Sequence, residues 1–281
     1  MAGRRFARWA SLALIGGLLG VAPAYAQTDL DKIIEAATRG NASTQIFLGT
    51  NYKYGVLQLP DGSRIEKDGT KAEYWLTKAA EQDVPYAQFL LGELYYQGEV
   101  VERDEPKAAL WLFKVIYHKE QDAKLIAQAQ YMMGTMLYRE CTGYLISLTC
   151  GSARKGKLLG QSFQSAAAWF QKAASAGHRG ARYELASMYE AGHGVAQDFA
   201  EAARLYRLVA DAGDNEAVGQ LGQLYLRTEN YVAAHMWFNV GAADGLAWAA
   251  ERRDKAAKLM TTAQIAEAQR LAREYIAARK K

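Results

Sequence analysis

Apolar and small residues recur along this chain at helical spacing, and one short pattern returns five times. A small residue (Gly49, Gly92, Gly134, Ala186 or Gly222) directly follows a large apolar one (Leu48, Leu91, Met133, Leu185 or Leu221). Three positions later stands Tyr52, Tyr95, Leu137, Tyr189 or Tyr225, and five positions before it Thr44, Ala87, Ala129, Ala181 or Ala217. Such offsets share one face of a helix. The small residue predicts the close approach of a neighbouring helix, with the larger residues filling the space beside it. Six positions on, Gly55, Gly98 and Gly192 predict helix ends, because glycine adopts the left-handed conformation that closes a helix.

A second helix is predicted in every unit. Asp68, Asp104, Ser162, Asp198 and Asn230 are N-cap residue types, whose side-chain oxygens accept from unpaired backbone N–H groups. Four positions after each cap comes an alanine, and seven after it Trp75, Trp111, Trp169, Leu205 or Trp237. Successive anchors are 36, 58, 36 and 32 residues apart. A base period of this size marks a stack of two-helix repeats, and the long interval places an insertion at about 140–161. The predicted fold is therefore all-α: an α/α solenoid of about five helix pairs with helical end caps. The units fall at about 42–86, 87–128, 129–180, 181–216 and 217–245. Leu30 to Thr38 reads as an amphipathic capping helix within 27–41. Residues 246–259 and 263–279 read as two further helices in a C-terminal cap spanning 246–281, with Thr262 capping the last.

The first 26 residues have a different character. Arg4, Arg5 and Arg8 precede a 14-residue apolar stretch, and Ala24-Tyr25-Ala26 forms a small-x-small site before Gln27. This is the plan of a bacterial secretory signal, so residues 1–26 are expected to be removed and the product to be periplasmic. No other apolar run approaches membrane length, which predicts no integral membrane segment after cleavage. Formal charge is +4 over the whole chain, and removal of the signal takes away three arginines and no acid. The nearly neutral remainder offers no electrostatic case for nucleic acid. From 251 to 281, nine basic residues face four acids; a solvated end cap is the default there, a grip on an anionic surface the alternative.

Cys141 and Cys150 are the only two cysteines, both within the insertion. In an oxidising compartment a nearby pair is expected to bridge, shaping the insertion. Their spacing is not the C-x-x-C of a redox dithiol. No nucleophile elbow, zincin, phosphate-loop or dinucleotide motif stands in a suitable context. His118 and His178 fall near predicted second-helix ends, where positive charge suits the dipole. His193 lies in a predicted turn, where exposure is expected, and His235 in a capped first turn. No catalytic residue, metal site or cofactor is expected.

Leu91-Gly92-x-Leu94-Tyr95-x-x-Gly98 followed by Asp104-x-Pro106-Lys107-Ala108-x-x-Trp111 resembles a Sel1-like repeat. So does Leu185-Ala186-x-Met188-Tyr189-x-x-Gly192-x-Gly194-Val195-x-x-Asp198-x-x-x-Ala202. The resemblance covers about 42–245. It departs from the pattern in the long first loop (Val56 to Lys67), at Glu140 in place of a helix-ending glycine, and in the fifth unit, which lacks the Gly-x-Gly-Val linker. The resemblance implies a branch of the tetratricopeptide-like solenoids and a non-enzymatic scaffold or regulator that binds a protein or peptide, such as one restraining an envelope sensor or signalling complex. If that geometry carries over, first helices line a concave face, with outward positions at Lys53, Glu93, Tyr96, Gln97, Thr135, Tyr138, Ser187, Glu190, Gln223 and Arg227. Their mixture of tyrosines, amides and both charge signs suits a polypeptide. The alternatives are a cell-wall-linked enzyme or β-lactam binder of the cysteine-rich Sel1-like type, or an assembly component of an envelope export or polysaccharide machine. Oligomeric state is not assigned.

Overall fold

The computed structural model describes residues 30–55, 57–58, 64–119, 122–147 and 153–279, with side chains between 140 and 161 excluded. The expected signal segment therefore lies outside the described residues, as do Cys150 and the side chain of Cys141. Thirteen helices are present among the described residues, with a single isolated antiparallel bridge between Gln58 and Arg64 and no strand. None of these helices is long and apolar enough to cross a membrane.

The chain divides into two compact units, Met1–Gln121 and Asp122–Lys281. The first contains α1 (Leu30–Thr38), α2 (Ala42–Tyr54), α3 (Gly69–Ala80), α4 (Pro85–Gln97) and α5 (Glu105–Ile116). Helices α2 and α3 form one hairpin, α4 and α5 the next, α3 packs on α4, and α1 caps α2. The second unit contains α6 (Ala123–Ser147), α7 (Ala153–Ser175), α8 (Arg179–Ala191), α9 (Phe199–Asp211), α10 (Asn215–Arg227), α11 (Tyr231–Ala243), α12 (Ala247–Ala257) and α13 (Thr262–Arg279). Its hairpins are α6–α7, α8–α9 and α10–α11, stacked in chain order, and both α12 and α13 pack on α11. This is the expected all-α row of helix pairs.

The caps explain where most helices begin. Asp68 and Asp104 accept from the amides of Lys71 and Lys107, both at 2.9 Å. Asp198 accepts from Ala200 and Glu201, and Asn230 from Ala233. Ser162 is a correction: it lies inside α7, which starts at Ala153. Ala153, Arg154, Lys155, Lys157 and two leucines are good helix formers, so no start is forced at the serine. The expected insertion is thus largely helical, lengthening α6 to 25 and α7 to 23 residues. Thr261, rather than Thr262, caps α13. Its hydroxyl accepts from the Gln264 amide while Gln264 Oε1 accepts from the Thr261 amide, a reciprocal capping box.

Packing within each pair centres on the small residue of the first helix. A Cβ added at Gly49, Gly92, Gly134 or Gly222 would lie 2.6, 3.0, 2.7 or 2.4 Å from Leu76, Leu112, Phe170 or Phe238, respectively. Each knob sits on the second helix of the same pair, one position after the tryptophan or leucine anchor. Tyr206 takes that position opposite Ala186, and all five knobs are essentially fully buried. Trp111 and Trp169 are only half-buried, with Lys114 and Lys172 ammonium groups over their rings at 4.1 and 4.5 Å.

Candidate protein-binding face

The first helices, α2 and α4 in one unit and α6, α8 and α10 in the other, use one side for the knobs and present another beyond it. In the first unit, Lys53 and Glu93 were expected to point outward, but both are buried and form an ion pair of 2.6 Å joining α2 to α4. Their burial has a plain cause: successive first helices pack together, and the Tyr54 ring lies 4.9 Å from the Lys53 ammonium. A paired charge can be carried in such a place, whereas either partner alone would be strongly destabilising. Burial and the Glu93 charge push the Tyr54 phenol up, and push that of Tyr86 to about 12. Both stay protonated and can donate. Tyr96 and Gln97, one turn further along α4, are half-buried.

In the second unit, Thr135 is half-buried and its hydroxyl donates to the Tyr131 carbonyl of its own helix. Tyr138 packs edge-on against Phe163 at 5.6 Å, at the border of the core. Ser187 and Gln223 are half-buried. Glu190 accepts from the Tyr206 hydroxyl at 3.1 Å and pairs with Arg227 of the next first helix at 3.0 Å. The exposed Arg227 guanidinium also lies 5.1 Å from the Phe199 ring centre. The structure thus brings Glu190 and Arg227 together across α8 and α10, and Lys53 and Glu93 across α2 and α4.

A second set of polar residues occupies the same two helices, and the spacing rule did not select it. Tyr183 donates to Glu216 Oε1 at 3.1 Å and accepts from Gln220 Nε2 at 3.1 Å, tying α8 to α10 again. Burial first, and the Glu216 charge second, push the Tyr183 phenol up. Glu184 follows it in sequence. Burial, then Glu216, raise its carboxyl to about 7. One signal for Glu184 was present in the sequence: it stands two before the central small residue, where three other units have Phe47, Leu90 and Met132.

The histidines serve packing. His178 is the N-cap of α8: its Nδ1 accepts from the Ala181 amide at 3.1 Å while Nε2 donates to Gln128 at 2.8 Å. It therefore sits at a helix start rather than at the expected helix end, where the dipole would oppose a positive charge. Burial, then Arg179, lower its pKa to about 4. His118 Nε2 donates to the Asp83 carbonyl at 3.1 Å, bracing the α3–α4 turn. The expected exposure of His193 is corrected too: the ring is half-buried and stacks on Phe163 at 4.8 Å. Gly194 beside it approaches the Phe163 backbone so closely that a Cβ would sit 2.3 Å away, which presses the turn against α7. No group of three or more potential metal-ligating side chains occurs among the described residues.

A family model of the Sel1 repeat matches residues 42–84, 85–114, 127–143, 153–178 and 180–214. Among solved structures, a Sel1 repeat protein from Oxalobacter formigenes is similar at 24% identity over 84% of each chain, with a TM-score of 0.54. A protective antigen of uropathogenic Escherichia coli strains, c5321, which displays an SLR fold, is similar at 25% identity with a TM-score of 0.44. That match covers 87% of the present chain, which spans 55% of the antigen. Comparison with curated proteins gives no match.

Proposed function

The chain belongs to the Sel1 repeat family, and from that premise we propose that it is a non-enzymatic adaptor of the bacterial envelope that holds a polypeptide partner against its first helices. The Sel1 repeat fold is generally a protein–protein interaction scaffold. One observation carries the placement on this chain: after the repeats have buried their apolar stripes in one another, the first helices still present a mixed polar and aromatic face. Tyr96 and Gln97 contribute in one unit, and Ser187, Gln223, Glu190 and Arg227 in the other. Tyrosines give contact area at low entropic cost, and the amides and charges give direction. Restraint of a membrane sensor or signalling complex is the regulatory role that such docking serves. Export is supported by the signal-like residues 1–26.

The test is site-specific photocrosslinking in intact cells. A crosslinker replacing Gln223 or Tyr96 is expected to capture a discrete protein, and one replacing Arg204, exposed on second helix α9, is expected not to. Equal capture from all three sites, or none from the first two, overturns the proposal. The same preparation should show a mature N-terminus at Gln27.

A further inference from the structure

The second helices of the first unit carry an outward stripe that repeats at the 36-residue period. Lys71, Tyr74 and Lys78 on α3 correspond to Lys107, Leu110 and Lys114 on α5. Their spacing keeps each set on one side of its helix, and all six residues are exposed, unlike the buried knobs Leu76 and Leu112. Tyr74 is 53% exposed and Leu110 57%. Phe113 and Tyr117 continue the α5 stripe, 39% and 70% exposed and stacked on each other at 6.2 Å. The two helices begin side by side, because Gly69 at the head of α3 abuts the Val100 carbonyl of the loop leading into α5. A run of large apolar side chains left in water at one surface marks an interaction site.

The charges on this face lean one way. Lys71 and Lys107 pair with the cap aspartates Asp68 and Asp104 at 3.2 and 3.5 Å. Lys78 and Lys114 have no ion pair among the described residues and lie over the Tyr74 and Trp111 rings at 5.9 and 4.1 Å. The acids within α3 and α5 are engaged elsewhere: Glu73 accepts from Tyr95 at 2.5 Å, and Glu105 pairs with Arg103. Exposed Glu81 ends the α3 stripe where Tyr117 ends that of α5, and exposed Lys119 follows two residues later. The same positions on α9 are Glu201, Arg204, Arg207 and Asp211, which pair among themselves. The cationic, apolar stripe is therefore a property of the first unit and not of the repeat.

We propose that this face of α3 and α5 seats the first unit on an anionic lipid bilayer. Tyr74, Leu110, Phe113 and Tyr117 enter the boundary between headgroups and acyl chains, and the lysines reach the lipid phosphates along their apolar stems. Composition selects that occupant. Protein interfaces favour arginine and are depleted in lysine, whereas the cations within α3 and α5 are all lysine. A second copy seated on the same surface would set lysine against lysine. None of the described helices can cross a membrane, so the association is peripheral. It uses the second helices and goes beyond the docking of a polypeptide on the first.

Vesicle flotation tests this with the chain from Gln27 onward, which retains all the described helices. The protein is expected to float with phosphatidylglycerol–phosphatidylethanolamine vesicles and not with phosphatidylcholine vesicles, and high salt should release it. Lys78→Glu combined with Lys114→Glu is expected to weaken binding about tenfold or more. Leu110→Ser combined with Tyr117→Ser should do the same by about as much. Lys258→Glu, exposed in the basic C-terminal cap, should change nothing. Circular dichroism and Tm matching the parent establish that the exposed substitutions leave the fold intact. Failure to float with anionic vesicles, or unchanged binding by either double variant, overturns the inference. Loss of binding in Lys258→Glu overturns it too and moves the grip to the C-terminal cap. A dimer that dissociates in the Leu110→Ser, Tyr117→Ser variant would overturn it in favour of a second copy.

Discussion

His178 and Glu184 sit on the same helix and respond to acid in opposite senses. The histidine has a folded pKa of about 4 against the ordinary 6.5. Between those values the unfolded chain binds a proton that the folded chain does not, so stability is lost as pH falls from 6.5 towards 4. The glutamate has a folded pKa of about 7 against 4.5. There the folded chain holds the extra proton, so stability is lost as pH rises from 4.5 through 7. Each shift corresponds to about 3 kcal/mol at most. The two slopes oppose each other between pH 4.5 and 6.5. Denaturant melts across that window should therefore depend less on pH in the native chain than either group alone would give, with His235, whose pKa burial also lowers, adding to the histidine side. They should fall with pH in His178→Asn, which keeps an N-cap acceptor, and rise with pH in Glu184→Gln. Parallel curves for all three proteins would show that neither group is desolvated as described. Neither role follows from spacing alone. His178 looked like a helix-end residue because the turn and the next helix share a single residue there, and Glu184 fell outside a rule that counted only positions after the central small residue.

At the scale of the element, the repeat is a small residue on one helix receiving a large one from its partner. The small residue was legible because it recurs with fixed neighbours. The large one was hidden behind a more conspicuous tryptophan one position earlier. Trp111 and Trp169 lean outward with lysines over their rings, while the residues beside them, Leu112 and Phe170, are fully buried. The anchor is itself core at Trp75, Leu205 and Trp237, and only at Trp111 and Trp169 does the residue beside it take the burial alone. Gly222→Ala places a methyl 2.4 Å from the Phe238 ring and should cost about 1–3 kcal/mol by chemical denaturation, the usual range for overpacking. Phe238→Leu added to that variant should recover part of the loss. A neutral Gly222→Ala would mean that the helix pair tolerates a wider separation. Cap chemistry was equally legible where an aspartate or asparagine precedes the helix, and failed at Ser162, where favourable residues upstream extend α7 past it.

At the scale of the molecule, contacts within each unit run from each helix pair to the next, and stability in such rows is a sum over neighbours. The second unit is closed by α13, whose Ala268 and Ala272 are buried. Tyr275 on the same helix packs edge-on against Trp237 and donates to Asp211 at 2.6 Å. The basic residues of this end are largely engaged: Arg270 bridges Glu267 and Glu274, and Arg279 pairs with Asp244. That pattern fits a terminal cap. Deleting 246–281 should therefore loosen α10 and α11, seen as faster amide exchange, and leave α2 to α5 protected as before. Loosening of the first unit would contradict nearest-neighbour stability. The row of pairs and its helical ends were visible in the sequence because both come from local periodicity. The partition into two units was not, because it depends on how densely helices far apart in sequence touch.

The overlong third pair gives the second unit something a uniform ladder lacks. Helix α6 is twelve residues longer than α8; aligned on Gly134 and Ala186 it runs eight residues further at its C-terminal end, an overhang of about 12 Å at the rise of an α-helix. A ladder of equal rungs lets a bound strand slip by one step at little cost, since each rung offers much the same purchase. One projecting rung ends that degeneracy: it fixes an origin from which every other position along the unit is counted.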